Sequence, residues 1–108
     1  MIKLNSDTKV KNTSSKCLYN AIIAHDVTIG DNSIIGINAT IIGGVQIGTG
    51  VYVGTGAILV NGKSTKQPFI TIGNDCKIHA GALVQKDMES GTTAIFNGRY
   101  LRRSDLTE

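Results

Sequence analysis

The residue types in this chain best suited to chemistry are two histidines, and one of them, His25, stands directly before an acidic residue, Asp26. An imidazole changes charge near physiological pH and can take a proton from a hydroxyl or an amine. The adjacent carboxylate is on hand to orient it. His79 is the second imidazole. The two cysteines, Cys17 and Cys76, form no CxxC pair and no Cys/His cluster, so spacing implies neither a redox couple nor a structural zinc. Three histidine ligands for a catalytic zinc are not there either, and no metal is expected. What these residues offer is proton transfer.

The element that must position them is a six-residue beat. Read from Cys17, an aliphatic or compact apolar residue returns as Cys17, Ile23, Ile29, Ile35, Ile41, Ile47, Val53 and Leu59. A period of six fits neither a helix nor a plain strand; it marks a hexapeptide-repeat parallel β-helix, one short strand and one corner per unit. Four positions after each member comes a small or compact residue: Ala21, Val27, Ser33, Ala39, Val45, Val51 and Ala57. Glycine often follows the aliphatic directly, at Gly30, Gly36, Gly48 and Gly54. The large residue fills the core and the small one lets the corner close. The glycines are expected to supply tight or positive-φ geometry. Three units make a triangular coil of 18 residues, and coils stack at roughly 4.8 Å.

The phrase Val-x-Ile-Gly fixes the phase. Val27-Thr28-Ile29-Gly30 and Val45-Gln46-Ile47-Gly48 are 18 residues apart, whereas Ile70-Thr71-Ile72-Gly73 follows 25 later. Seven residues have therefore been inserted between Leu59 and Ile70, where residues 61–68 carry Asn-Gly and Pro turn chemistry and read as an exposed loop. The beat then resumes at Ile72, Ile78 and Val84. His25, Gly43 and Asn61 share one phase and so one corner of the prism. The loop thus rises beside His25 and would wall a cleft there. Residues 1–16 break the beat, with Lys11 where an aliphatic belongs, and read as an arm or irregular cap. Residues 17–98 form the β-helix of three to four coils, and 99–108 a tail, helical or unstructured. So short a prism has flat faces and little private core, which favours a homotrimer.

Composition agrees with this. Aromatics are 5% and Trp is absent, with 13 glycines and one proline, so many turns and little helix are expected. The net charge of +3 comes largely from the chain ends. No dense basic face with interleaved aromatics points to nucleic acid. The start, Met1-Ile2-Lys3, lacks a signal-peptide core, and no apolar run reaches membrane-spanning length. With both cysteines at inward positions as reduced core fillers, the expectation is a cytoplasmic protein.

The segments His25-Asp26-Val27-Thr28-Ile29-Gly30-Asp31, Gly43-Gly44-Val45-Gln46-Ile47-Gly48 and Ile78-His79-Ala80-Gly81-Ala82-Leu83-Val84 resemble the hexapeptide-repeat acyltransferases. The resemblance is to the sugar and sialic-acid O- or N-acetyltransferase branch, and Val84-Gln85-Lys86-Asp87 matches its closing phrase. It covers roughly residues 17–98 and implies an all-β, single-stranded, left-handed parallel β-helix. It also implies a trimer with acetyl-CoA in grooves between subunits and a small sugar-like acceptor. His25 then matches the general base, aided by Asp26. Gly43 matches a backbone donor near the thioester, while Thr55 and Ala80 match cofactor contacts from a neighbouring subunit. His79 stands beside that cofactor corner. The sequence departs from the branch in several places: Ala24 replaces a frequent Glu, and Ile34 stands where some relatives have a second histidine. Phe96-Asn97-Gly98-Arg99 replaces the usual Gly-Asn-Pro-Ala turn, and the N-terminal sugar-nucleotide subdomain has no counterpart. These departures leave a second reading open, a non-catalytic trimeric β-helix that binds or scaffolds.

Overall fold

The computed structural model describes residues 3–4, 9–10, 15–60, 69–96 and 100–101. Every described strand is two residues long, and up to Thr93–Ala94 each pairs with a strand one coil away, not with its sequence neighbour. The first face stacks Lys3–Leu4, Ile22–Ile23, Thr40–Ile41, Ile58–Leu59 and Leu83–Val84. The second stacks Lys9–Val10, Thr28–Ile29, Gln46–Ile47 and Thr71–Ile72. The third stacks Lys16–Cys17, Ile34–Ile35, Tyr52–Val53, Lys77–Ile78 and Thr93–Ala94, all in parallel register. This is the three-sided parallel β-helix that the beat predicts, and no described residue is helical.

In the strands from Ile22–Ile23 to Leu83–Val84 the first side chain points out and the second points in. The inward series from Ile23 to Val84 is 0–3% exposed, and each such aliphatic contributes about 1.5–3 kcal/mol by leaving water. The compact residues four positions on, Ala21 through Ala57 and again Cys76 and Ala82, are equally buried. One of them is polar. Ser33 faces inward, and its Oγ donates to the Gly48 carbonyl at 2.9 Å and accepts from Val51 N at 3.1 Å, so the buried hydroxyl is satisfied. Cys76 is buried and Cys17 only partly so; both are free thiols. Burial pushes both above the usual thiol range, with hydrogen bonds from the backbone of Thr92, Gly91 and Gly73 pulling Cys76 part of the way back.

The insertion is visible in the ladder. Thr28 pairs with Gln46, one regular coil on, but Gln46 pairs with Thr71, which lies beyond the inserted segment. The expected loop at 61–68 lies outside the described residues.

Three expectations change. The stack extends below Cys17: Leu4 pairs in register with Ile23 and Val10 with Ile29. Each of these pairs is separated by one position more than a regular coil. The extra residue between Val10 and Cys17 shifts the beat, which is why Lys11 seemed to break it. Past residue 98, Tyr100–Leu101 forms a strand antiparallel to Thr93–Ala94. It covers an edge that would otherwise stay unpaired, and Lys86 Nζ lies 4.6 Å from the Tyr100 ring centroid, within cation–π range.

The third change concerns the glycines. Positive φ falls not directly after the inward aliphatic but three positions after it, at Asn20, Asp26, Asn32, Asn38 and Asp75 as well as at glycines such as Gly44. Asn and Asp tolerate this left-handed region better than other side chains. Gly30 and Gly36 are needed instead for close stacking. A Cβ at either would meet the backbone of the next coil at 2.6 Å.

Candidate functional site

Each corner follows an inward aliphatic and turns the chain onto the next face. Between the first and second faces lies the histidine corner, where His25 and Asp26 sit one coil below Gly43 and Gly44. The Gly44 N–H donates to the His25 carbonyl at 3.0 Å and sets the two turns one above the other.

The His25 side chain is exposed, and its ring lies against Gly43 of the next coil. A Cβ at Gly43 would stand 2.9 Å from the ring's Cε1 and 3.0 Å from Nε2. Glycine at this position is therefore what lets the imidazole lie against the turn. His25 Nδ1 is 3.1 Å from Asp26 Oδ2. With that carboxylate accepting from Nδ1–H, Nε2 carries the lone pair. It has no partner among the described residues and stands next to Gly43, as a base for an incoming hydroxyl or amine would. Asp26 has a second reason to be there. At φ 59° it fills a left-handed corner that Asn fills at positions 20, 32 and 38 and Asp at position 75; what distinguishes it is the imidazole beside its carboxylate. The Gly43 N–H also has no hydrogen-bond partner among the described residues.

The structure thus brings His25, Asp26 and Gly43 together. Thr55 and Ala80 meet at a different corner, between the third face and the next turn of the first, on successive coils. There the Gly81 N–H donates to the Thr55 carbonyl at 2.9 Å. Thr55, Ala80 and His79 are all exposed, and the His79 N–H pairs with the Ala94 carbonyl at 2.9 Å. The two corners border opposite edges of the first face. Its outward column runs Ile22, Thr40, Ile58 and Leu83, of which the three apolar members are 49%, 41% and 43% exposed. Leu18, Tyr19 and Ile37 continue this apolar surface around the threonine corner.

One residue of the histidine corner escaped the sequence reading. Phe69 follows the inserted segment, and its ring lies over Gly44, where a Cβ would collide with Cδ1, Cε1 and Cγ. The signal was present in the phase. Phe69 stands two positions before Thr71 as Gly44 stands two before Gln46, and Thr71 and Gln46 are partners in the ladder. Among the described residues no group of three His, Cys, Asp or Glu side chains could hold a metal ion. No helix among them is long and apolar enough to cross a membrane.

Residues 26–61 match the family described as bacterial transferase hexapeptide (six repeats), a stretch within the run where the six-residue beat is unbroken. No curated protein sequence matches the chain. Among solved structures, WeeI from Acinetobacter baumannii AYE aligns with a TM-score of 0.70 and 24% identity, over 89% of this chain and 56% of that one. A histidine-to-asparagine variant of perosamine N-acetyltransferase from Caulobacter crescentus, in complex with CoA and GDP-perosamine, aligns with a TM-score of 0.54 and 22% identity. That alignment covers 87% of this chain and 52% of that one. The chain therefore spans about half the length of these structures. What the likeness establishes is the fold, a left-handed parallel β-helix.

Proposed function

We propose that this hexapeptide-repeat chain transfers an acetyl group from acetyl-CoA to a hydroxyl or amine of a small sugar-like acceptor, with His25 as general base. The observation that carries this reading is the exposed imidazole set against Gly43, with Nδ1 engaged by Asp26 and Nε2 without a partner among the described residues. The acceptor's O–H or N–H gives its proton to Nε2 as the oxygen or nitrogen forms a bond to the acetyl carbon. Acetyl-CoA supplies the thioester whose C–S bond breaks, and the imidazolium can return its proton to the departing sulfur. The Gly43 N–H is a fitting donor to the carbonyl oxygen as it gains negative charge. Much of the remaining rate comes from holding two reactants in line.

Thr55, His79 and Ala80 are proposed to contact the donor from a second copy of the chain. Within one chain they are separated from His25 by the first face. The exposed column of Ile22, Ile58 and Leu83 between the corners supports self-association, and a homotrimer is the closed arrangement that would pair one copy's histidine corner with another's threonine corner. The free thiols suit a cytoplasmic setting. The choice of an amino sugar as test acceptor follows the neighbouring structure that holds CoA and GDP-perosamine.

The test is thiol release from acetyl-CoA in the presence of GDP-perosamine, with the unaltered chain and His25→Ala compared. Loss of a general base is expected to lower turnover by about 100- to 10,000-fold, with an unchanged melting temperature because His25 is exposed. Undiminished transfer by His25→Ala would sink the reading. An unaltered chain that neither binds acetyl-CoA nor turns it over would favour the non-catalytic β-helix.

A further inference from the structure

Gly43 and Gly44 are the chain's one pair of adjacent glycines, and each lies against a ring from a different coil. The imidazole of His25 reaches Gly43 from the coil below; the phenyl ring of Phe69 covers Gly44 from the coil above. Consecutive Cα atoms are about 3.8 Å apart, so the two rings contact neighbouring residues of one turn. Phe69 is 51% exposed, although its flanking core is already closed. Ile70 and Val45 next to it are 1% and 0% exposed. The outer face of the ring is therefore not used to complete the interior. A half-bare aromatic on the same turn as an imidazole whose Nε2 has no partner among the described residues has the makings of a wall for whatever that nitrogen deprotonates.

We propose that Phe69 is a specificity-determining residue of the His25 site, its exposed ring forming the platform on which the apolar C–H face of a pyranose acceptor rests. The proposal depends on the acyl-transfer reading above and narrows its acceptor to a ring sugar. A pyranose carries its C–H bonds on its faces and its polar groups around its rim. Stacking on a phenyl ring desolvates one apolar face while leaving the rim groups wet. A rim hydroxyl or amine can then point sideways toward Nε2. Having no polar atom, Phe69 contributes nothing to an acceptor without such a face.

The experiment compares Phe69→Ala with the unaltered chain on two acceptors at saturating acetyl-CoA: GDP-perosamine, which carries a pyranose, and ethanolamine, which has no ring. The expected result is a fall of roughly 10-fold in kcat/KM for the pyranose, mostly in KM, with the ethanolamine rate unchanged. Phe69→Tyr, which keeps the ring, is expected to restore the pyranose value. An equal loss on both acceptors, or no loss on either, overturns the proposal. His25→Ala assayed alongside separates the two levels. If it abolishes transfer to both acceptors while Phe69→Ala changes neither, the platform fails and the general base stands. Full activity of His25→Ala removes the base and the platform together.

Discussion

Two corners of the same prism share one turn geometry and use it differently. Between the second and third faces, the peptide N–H groups at the turn are taken by side chains from the next coil. Thr49 N donates to Asn74 Oδ1 at 2.8 Å, and Asn74 N donates to Ser90 Oγ at 3.0 Å. Those side chains knit one coil to the next. At the histidine corner the side chain one coil below, His25, sets its ring against Gly43 without accepting from that turn's N–H, while position 61, the counterpart of Asn74 one coil above, lies outside the described residues. The first corner uses its side chains to tie coil to coil, and the second holds an exposed imidazole against its turn. The corners differ in what the side chain one coil away does at the turn.

Substitutions can break that contrast. Gly43→Ala permits the same backbone, since Gly43 is not at positive φ, but its methyl group must push the imidazole aside. Misplacing the base is expected to cost roughly 100-fold in turnover, seen as a fall in kcat with near-normal acetyl-CoA binding. Asp26→Asn is the finer probe. Asn already serves at the left-handed corners at positions 20, 32 and 38, so the fold should be indifferent. Losing the carboxylate on Nδ1 should still lower kcat on the order of 10-fold, a fraction of the full general-base effect. Wild-type kcat in that variant would reduce Asp26 to a turn residue. Asn74→Ala should do the reverse: about 1 kcal/mol lost on thermal or urea unfolding as Thr49 N gives up its acceptor, with kcat unmoved. If Asn74→Ala crippled turnover and Asp26→Asn destabilised the chain, the division of labour between the corners would be inverted.

The fold was legible because its information repeats. Ile23, Ile29, Ile35 and their successors each repeat one instruction, so a single irregular unit could not hide it, and the inserted segment could be located from Val-x-Ile-Gly alone. The ends were less legible because they depart from the beat. One residue too many before Cys17 concealed the pairing of Leu4 and Val10, and the strand at Tyr100–Leu101 runs against the others and obeys no hexad. Of the candidate site, phase correctly stacked His25 on Gly43 and Thr55 below Ala80. It could not say that the imidazole would lie against Gly43, because side-chain direction depends on the turn's dihedral angles. Phe69 went unnoticed for a related reason. It falls in the gap between the loop assigned to residues 61–68 and Ile70, where the repeated phrase resumes, although its position relative to Gly44 made it part of the corner. The glycines that often follow an aliphatic were marked for tight or positive-φ geometry, and at Gly30 and Gly36 only the tight approach of the next coil applies, since turn conformation and inter-coil crowding leave the same letter in a sequence.

The overlong first coil, from Val10 to Ile29, and the longer step from Gln46 to Thr71 have a shared implication. Neighbouring rungs keep level whatever length of chain joins them, because each two-residue strand finds its own partner. Added length is not passed up the column as a slip in register. A molecule built this way can acquire new surface at one vertex while its interior stays as it was, and it can be altered there, by lengthening or shortening residues 61–68, without asking a single buried isoleucine to move.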